Sequence, residues 1–307
     1  MVLSNFFWNV LFLRDIKNNK SLKIEGEEED IEITTDSGLV YAQAKCLFNI
    51  NSRSSVLSHY RKALLSLKDN ADRATKLIYI SNIEDPFNDK EYRYYSFDTE
   101  FSFDQLKDKT KKKIKRVLGD SFDYDKLDVI IKHFYGNEEN KKKILLEEIS
   151  RFLIQAIKDD SFKYSIYNGL ITDGIINASD KKYSVTKSKF IFNMVIPYLQ
   201  STRPDEEQIG IDDDNYQYAR ELYQYFINDF EYDYSFISLV LSDYKIEKEQ
   251  TNCSFYQFTI SFADKYMDYI PVVYDDSIRS ELIRILVYRV LKNKYYLDRI
   301  KAAANLK

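Results

Sequence analysis

The chain has 307 residues and a net charge of −4, and its 44% hydrophobic and 31% charged residues are typical of a soluble globular protein, which excludes wholesale disorder. This length predicts one large domain or two modest ones. The chain has two cysteines, far apart, and two histidines, which argues against a disulfide framework and a histidine-based metal cluster. The 7 glycines and 4 prolines predict long regular elements, mostly helices, and no glycine-rich phosphate loop.

The first predicted element is a helix at the N-terminus. The apolar run FFWNVLFL at residues 6–13 has no basic region before it and no small-residue cleavage site, and Arg14 follows at once. We therefore interpret it as a buried helix and not as a signal peptide. No other stretch approaches the roughly 20 apolar residues of a membrane span, so we expect a cytoplasmic protein with no membrane partner.

The first eighty residues predict the order helix, three strands, helix, strand. Ile31 and Ile33 alternate with polar residues, which is typical of a strand. The turn sequence Thr35-Asp-Ser-Gly38 then predicts a hairpin between the second and third strands. The strands are predicted at residues 21–25, 29–35, 39–48 and 76–81, and an amphipathic helix at 52–68.

The third strand carries two polar residues in an otherwise apolar run. Gln43 and Lys45 lie two positions apart, so their side chains point to the same face of the sheet. Burial of an amide and an ammonium costs several kcal/mol unless other groups pair with them. Two interpretations follow: an edge strand with one face in water, or a functional site.

An acidic residue near the start of the second strand favours a functional site. Because the hairpin joins the two strands, Asp30 can approach Gln43 and Lys45. Its carboxylate, the side-chain oxygen of Gln43 and the backbone carbonyl of Ala44 are the oxygen ligands that Mg²⁺ prefers. Lys45 would then lie beside the metal-bound water, where it could orient the nucleophile and offset charge on the phosphate.

This constellation resembles the PD-(D/E)XK restriction-endonuclease-like nucleases. The segments IEGEEEDI at 24–31 and YAQAK at 41–45 are similar to the double-stranded-DNA endonuclease domain of bacterial antiphage effectors, and IYISN at 78–82 is similar to its strand that ends in Asn. The similarity is concentrated in residues 24–82. It implies an α/β (α+β) fold in which helices flank a restriction-endonuclease-like mixed sheet and an α-helical region follows.

The resemblance also implies an activity and its residues. The activity would be cleavage of double-stranded DNA with Mg²⁺ or Mn²⁺, with Asp30, Gln43 and Lys45 as catalytic residues. Many relatives carry a further acid or amide in the first helix, where this chain offers only Asn5 or Asn9. Either Glu25 supplies the further ligand or the metal binds weakly. The implied metal ligands are Asp30, Gln43, Glu25 and the backbone carbonyl of Ala44.

The biological role implied by the resemblance is that of an antiphage effector nuclease. In CBASS and Lamassu-type systems such a nuclease is kept silent until infection, and Lamassu-like systems pair it with an SMC-type ATPase. The expected partners are therefore such an ATPase or further copies of the chain. One alternative is a degenerate nuclease fold that only binds DNA or acts as a scaffold. Another is an α-helical interaction protein with a coincidental motif.

The remaining sequence carries fewer motifs. Residues 104–118 predict a basic helix, interpreted either as a contact to the DNA backbone or as a solvated surface. Residues 124–135 and 140–157 predict further helices, and 174–200 a small winged-helix-like segment. The candidate DNA-binding residues on the basic helix are Lys111, Lys112, Lys113 and Lys115.

The charge distribution predicts two domains. Residues 1–200 carry a net charge of +2 and residues 201–307 one of −6, with a polar, proline-containing segment after Gln200. We therefore expect a nuclease domain at 1–200, with its motifs in 1–82, and an α-helical assembly or regulatory region at 205–307. The acidic, tyrosine-rich second region suits protein contacts better than DNA contacts.

Overall fold

The structure is a computed structural model, and it divides the chain into two compact units. One unit contains Met1–Phe152 and Tyr167–Lys187, and the other contains Leu153–Ile166 and Ser188–Lys307. The residues that the structure describes are 4–24, 31–45, 53–82, 87, 99–132, 138–179, 184–202, 209–211, 218–219, 221–223 and 234–306.

The first unit is built around a mixed sheet of seven strands in the described part of the chain, with the order β5-β6-β4-β3-β2-β1-β7. Its elements are α1 (Ser4–Arg14), β1 (Asn19–Ile24), β2 (Ile31–Thr35), β3 (Leu39–Lys45), α2 (Arg53–Asp69), β4 (Ala74–Ser81), β5 (Thr99–Ser102), α3 (Asp108–Leu118), β6 (Leu127–Ile131), α4 (Glu138–Ile157), α5 (Lys163–Ser179) and β7 (Val185–Thr186). Strands β3, β4 and β6 run parallel to one another, whereas β1, β2 and β7 form antiparallel pairs on one side and β5 pairs antiparallel with β6. The predicted order of helix, three strands, helix and strand is confirmed.

The hairpin between β2 and β3 sets the register of the central strands. The backbone N–H and the Oγ1 hydroxyl of Thr35 both donate to the carbonyl of Gly38, each at 2.8 Å. Beyond this turn, Ile31 pairs with Ala42 and Glu32 with Tyr41. The side chains of Ile31 and Ala42 therefore share one face of the sheet, and Gln43 belongs to the opposite face.

Helices α2 and α3 cover the face of the sheet to which Gln43 belongs. The apolar core beneath them contains Tyr41 from β3, Tyr79 from β4 and Val129 from β6, all of which point toward these helices. The helices contribute a stripe of buried residues at three- and four-residue spacing. These residues are Tyr60, Ala63, Leu64 and Leu67 on α2, and Ile114 and Leu118 on α3.

The second unit is α-helical in its described part, which confirms the predicted helical C-terminal region. Buried aromatic residues hold these helices together; for example, the hydroxyl of Tyr234 donates to the carbonyl of Leu297 at 2.6 Å. Its further helices are α6 (Lys187–Ser201), α7 (Tyr234–Thr251), α8 (Phe255–Phe262), a 3-10 segment (Ala263–Tyr269), α9 (Asp276–Lys292) and α10 (Lys294–Ala303).

Two sequence predictions are wrong in this region of the fold. Residues 124–135 do not form a helix, because Leu127–Ile131 is a buried strand between β4 and β5. Residues 174–200 do not form a separate winged-helix segment, because β7 pairs with β1 and extends the main sheet. The division into units also differs from the boundary drawn after residue 200, since residues 153–166 and 188–200 belong to the second unit.

Within the described residues, no helix combines the length and apolar character needed to cross a membrane.

Candidate functional site

The predicted pair of polar residues lies in the middle of the sheet, not at its edge. Strand β3 is bordered by β2 on one side and β4 on the other, so the edge-strand interpretation is wrong. Gln43 is only 5% exposed, and Lys45 at the end of the strand is partly exposed. A buried amide at the centre of a sheet requires polar groups around it, and this strand end is therefore the candidate site.

Further polar side chains surround this strand end. Gln43 is aligned with Tyr79 and Lys45 with Ser81 on the parallel strand β4, so all four side chains share one face. Ser81 and the following Asn82 are fully buried. The carboxyl ends of two adjacent parallel strands therefore bring an amide, an ammonium and a hydroxyl to one face, and Asn82 follows directly after Ser81.

Tyr79 closes the inner side of this polar group. Its hydroxyl hydrogen-bonds to Ser81, and burial raises its pKa above the usual value for tyrosine. Its ring lies beside Phe87, with 5.6 Å between the ring centroids. Tyr79 is thus a neutral phenol whose hydroxyl orients Ser81 and whose ring belongs to the apolar core.

The predicted acidic ligands Asp30 and Glu25 lie outside the described residues. Ile31, next to Asp30 in sequence, pairs with Ala42, next to Gln43. Their approach to Gln43 therefore stays a prediction.

The described part of the site fits a divalent cation only incompletely. Gln43 and the carbonyl of Ala44 offer neutral oxygens of the kind that Mg²⁺ accepts. No group of three Asp, Glu, His or Cys residues that could hold a metal occurs among the described residues. A hard cation at this strand end would need carboxylates in addition, and in the predicted site these are Asp30 and Glu25.

A basic groove lies between α2 and α3, on the side of the sheet to which Gln43 and Lys45 belong. The cavity has a volume of about 500 Å³. Three of its lining side chains are cationic and none is acidic, while the others are apolar or aromatic. The α2–α3 groove is lined by Arg61, Lys113, Arg116, Leu57, Tyr60, Leu65 and Val117.

The predicted DNA-binding lysines do not lie together on α3. Thr110, Ile114 and Leu118 form the buried stripe of the helix, and the lysines are distributed around it. Lys113 lies in the α2–α3 groove and its Nζ donates to the carbonyl of Phe87 at 2.6 Å. Lys115 lies elsewhere, with its Nζ 5.4 Å from the centroid of the Tyr124 ring. Lys111 lies one turn before Lys115 and shares its stripe, and Lys112 is exposed.

Arg61 and Arg116 are candidate functional residues that the sequence pattern does not single out. Arg116 lies within the predicted basic helix, outside its four candidate lysines, and Arg61 lies on another helix. Both are exposed, and no ion pair joins either of them to a described carboxylate. The available signal was the amphipathic pattern of α2, which sets Arg61 directly beside its buried Tyr60.

Comparison with known proteins does not assign this chain to a family. No protein-family model matches the sequence, and no curated protein or solved structure matches it significantly.

Proposed function

We propose that this chain is a metal-dependent endonuclease that cleaves double-stranded DNA. The observation that carries the proposal is the buried Gln43, with Lys45 two residues later, at the end of an interior strand in a mixed αβββαβ arrangement. A buried amide and a partly exposed ammonium at the carboxyl end of an interior strand suit recognition of a phosphodiester group. This arrangement supports the resemblance to PD-(D/E)XK nucleases on which the function is proposed.

The proposed roles follow from the chemistry of each group. Lys45 is partly exposed, so its ammonium can contact a phosphate oxygen and stabilise the negative charge that develops there. Gln43 and the carbonyl of Ala44, with Asp30 and Glu25, would hold Mg²⁺ or Mn²⁺. The metal would supply Lewis-acid polarisation of the phosphate and a water of lowered pKa. Ser81, hydrogen-bonded to Tyr79, lies beside Lys45 on the neighbouring strand.

The biological setting is proposed on the resemblance alone. We propose a cytoplasmic effector of antiphage defence that acts with an SMC-type ATPase or as a homo-oligomer. Because unregulated cleavage would destroy host DNA, its activity should depend on assembly.

A second candidate is a degenerate nuclease fold that binds DNA or acts as a scaffold without cutting it. The α2–α3 groove favours this alternative, because its three cations can serve binding whether or not the strand end is catalytic. The two functions differ in whether the loss of Lys45 affects cleavage.

Substitution of the proposed catalytic residues tests the activity. We expect Lys45→Ala and Asp30→Ala each to lower Mg²⁺- or Mn²⁺-dependent cleavage of plasmid DNA by at least about 100-fold, since each removes a group that acts on the reacting phosphate. Circular dichroism and thermal unfolding would verify that both variants are folded.

Lys76→Ala is the matched control. Lys76 lies on the neighbouring strand and on the opposite face of the sheet, where it pairs with Asp128 at 2.5 Å. Its removal should leave cleavage unchanged and change stability by at most about 1 kcal/mol, because its side chain is 45% exposed. Undiminished cleavage by both Lys45→Ala and Asp30→Ala would refute the site assignment.

A further inference from the structure

We propose that the α2–α3 groove, and not the whole basic helix, binds the phosphate backbone of duplex DNA. This inference rests on the proposed function and identifies how its substrate is held. The groove takes one basic residue from α2 and two from α3, so its cationic character depends on the packing of two helices. Arg61, Lys113 and Arg116 are the residues that would contact phosphates.

The charges of the groove are suited to a ligand that arrives from solvent. Arg61 and Arg116 are exposed and lie on facing helices, and neither forms an ion pair with a described carboxylate. Their guanidinium groups can each bind a phosphate in a bidentate manner. Lys113 differs, because its ammonium already donates to the carbonyl of Phe87. Two exposed arginines and one hydrogen-bonded lysine therefore give the groove its positive charge.

The apolar lining favours a sugar–phosphate backbone over a free nucleotide. Leu57 and Val117 are half-buried and Leu65 is exposed, so all three offer aliphatic contacts to deoxyribose. Tyr60, the aromatic residue of the groove, is 3% exposed and has its ring packed against Phe87 at 5.5 Å. Its ring faces are therefore not available as a platform for a nucleobase. A backbone needs cations and apolar contacts but no such platform.

The position of the groove agrees with a substrate that also reaches the strand end. Both features lie on the same side of the sheet, because α2 and α3 cover the face to which Gln43 and Lys45 belong. Tyr60 of the groove packs on Phe87, and Phe87 packs on Tyr79, the strand neighbour of Gln43. A duplex bound along the groove would thus continue toward the proposed catalytic residues.

The experiment compares two pairs of substitutions that remove the same charge. Arg61→Gln with Arg116→Gln removes two groove cations, and Lys111→Gln with Lys115→Gln removes two cations from the other stripe of α3. Binding of a short fluorescent DNA duplex is measured without divalent metal between about 50 and 200 mM salt. We expect the groove pair to reduce the slope of log affinity against log salt by about 1.8 and the control pair by less than about 0.9.

A conservative pair adds a second readout. Arg61→Lys with Arg116→Lys keeps both charges, so its salt slope should match the wild type. Sequence preference should be unchanged in all variants, because phosphate contacts do not read bases. At limiting DNA, the Arg61→Gln and Arg116→Gln pair should also cleave more slowly than the wild type, since it binds the duplex more weakly.

Several outcomes would overturn the inference. The inference fails if the salt slope of the groove pair equals that of the wild type, or if both pairs lose the same amount of slope. Either result would show that the α2–α3 groove is not the DNA-binding surface. If millimolar ATP displaces the duplex at constant ionic strength, the α2–α3 groove binds nucleotides instead. If cleavage still depends on Lys45 in either case, the proposed function stands and only this inference fails. A wild-type protein that neither binds nor cleaves duplex DNA would overturn both.

Discussion

Gln43 is the residue on which the chemistry of the proposed site depends most closely. Its amide is 5% exposed and lies on an interior strand, so it is surrounded by protein and not by water. A neutral oxygen in this position can serve a cation without the cost of burying a charge when the cation is absent. A glutamate there would bind a cation more strongly, but its burial would destabilise the metal-free protein.

The first residue-scale prediction concerns this trade-off. Gln43→Glu should destabilise the metal-free protein, because burial disfavours a carboxylate, and Mg²⁺ should raise its Tm more than that of the wild type. It should also need less Mg²⁺ for half-maximal cleavage. Thermal unfolding with and without Mg²⁺, together with cleavage at graded Mg²⁺, measures both effects.

Gln43→Leu is the companion variant, since it keeps a similar size but removes the oxygen. It should lose about 100-fold or more in cleavage and show no Mg²⁺-dependent shift in Tm. If Gln43→Leu cleaves like the wild type, Gln43 is not a ligand.

At this scale the sequence predicts that Gln43 and Lys45 share one face of the sheet, because alternation along a strand is a local property. It did not predict the grouping of Arg61 with Lys113 and Arg116. That grouping depends on how two helices, separated by two strands in the chain, pack side by side. Charge density along α3 indicates Lys111, Lys112, Lys113 and Lys115 as candidates but does not show which of them share a face, and the helix places Lys113 and Lys115 on different sides.

The hairpin of β2 and β3 is the element that carries the site. Its turn contains Gly38 with a φ of +134°, a conformation that residues with a side chain rarely adopt. A Cβ at this position would lie 2.5 Å from Cγ2 of Thr75, the residue whose hydroxyl donates to the carbonyl of Leu39. The turn therefore needs glycine both for its backbone and for its contact with β4.

We predict that Gly38→Ala destabilises the protein by about 1–3 kcal/mol. Gly169→Ala is the matched control, because Gly169 lies within α5 and a Cβ there meets no atom within 4 Å. Alanine should stabilise that helix by about 0.5–1 kcal/mol. Urea unfolding measures both variants. Equal stability of Gly38→Ala and the wild type would show that the turn adapts.

The elements themselves were predicted unevenly. Strands β2 and β4 and helix α2 carry clear periodic patterns or a long apolar run, and the structure agrees with each to within two or three residues at its ends. Strand β6 was predicted as a helix. Its sequence LDVII has both faces against protein and therefore no alternation, and a short apolar run cannot be told from a helix by period alone. Only its two neighbours, β4 and β5, identify it as a strand.

At the scale of the whole molecule, the helical region carries an unusual exposed pair. Val272 and Val273, in the turn before α9, are 84% and 83% exposed. Two adjacent apolar side chains in water are suited to a protein contact, although the pair alone is small. The pair is therefore a candidate contact for the predicted assembly role of this acidic region.

We therefore predict that the protein self-associates through its second region and that cleavage increases with association. Analytical ultracentrifugation should show a mass that rises with concentration, and Val272→Ser with Val273→Ser should weaken the association. Lys245→Ser, at an exposed position on α7, is the control and should have no effect. A protein that is monomeric at every concentration and fully active would contradict this prediction.

The path of the chain between its two compact units has a consequence for how such a gene can be rearranged. Residues 153–166 belong to the second unit, and the chain then returns so that residues 167–187 complete the first. Strand β7, which pairs with β1, is supplied by that returning segment. A single recombination point between residue 153 and the start of β7 would therefore pair β1 of one parent with β7 of the other. Where the two parents differ in these strands, the pairing edge of β1 would be covered less well and more open to aggregation. Exchange of the helical region between related genes should succeed only with breakpoints after residue 187, and the exchanged region must accommodate the retained segment 153–166.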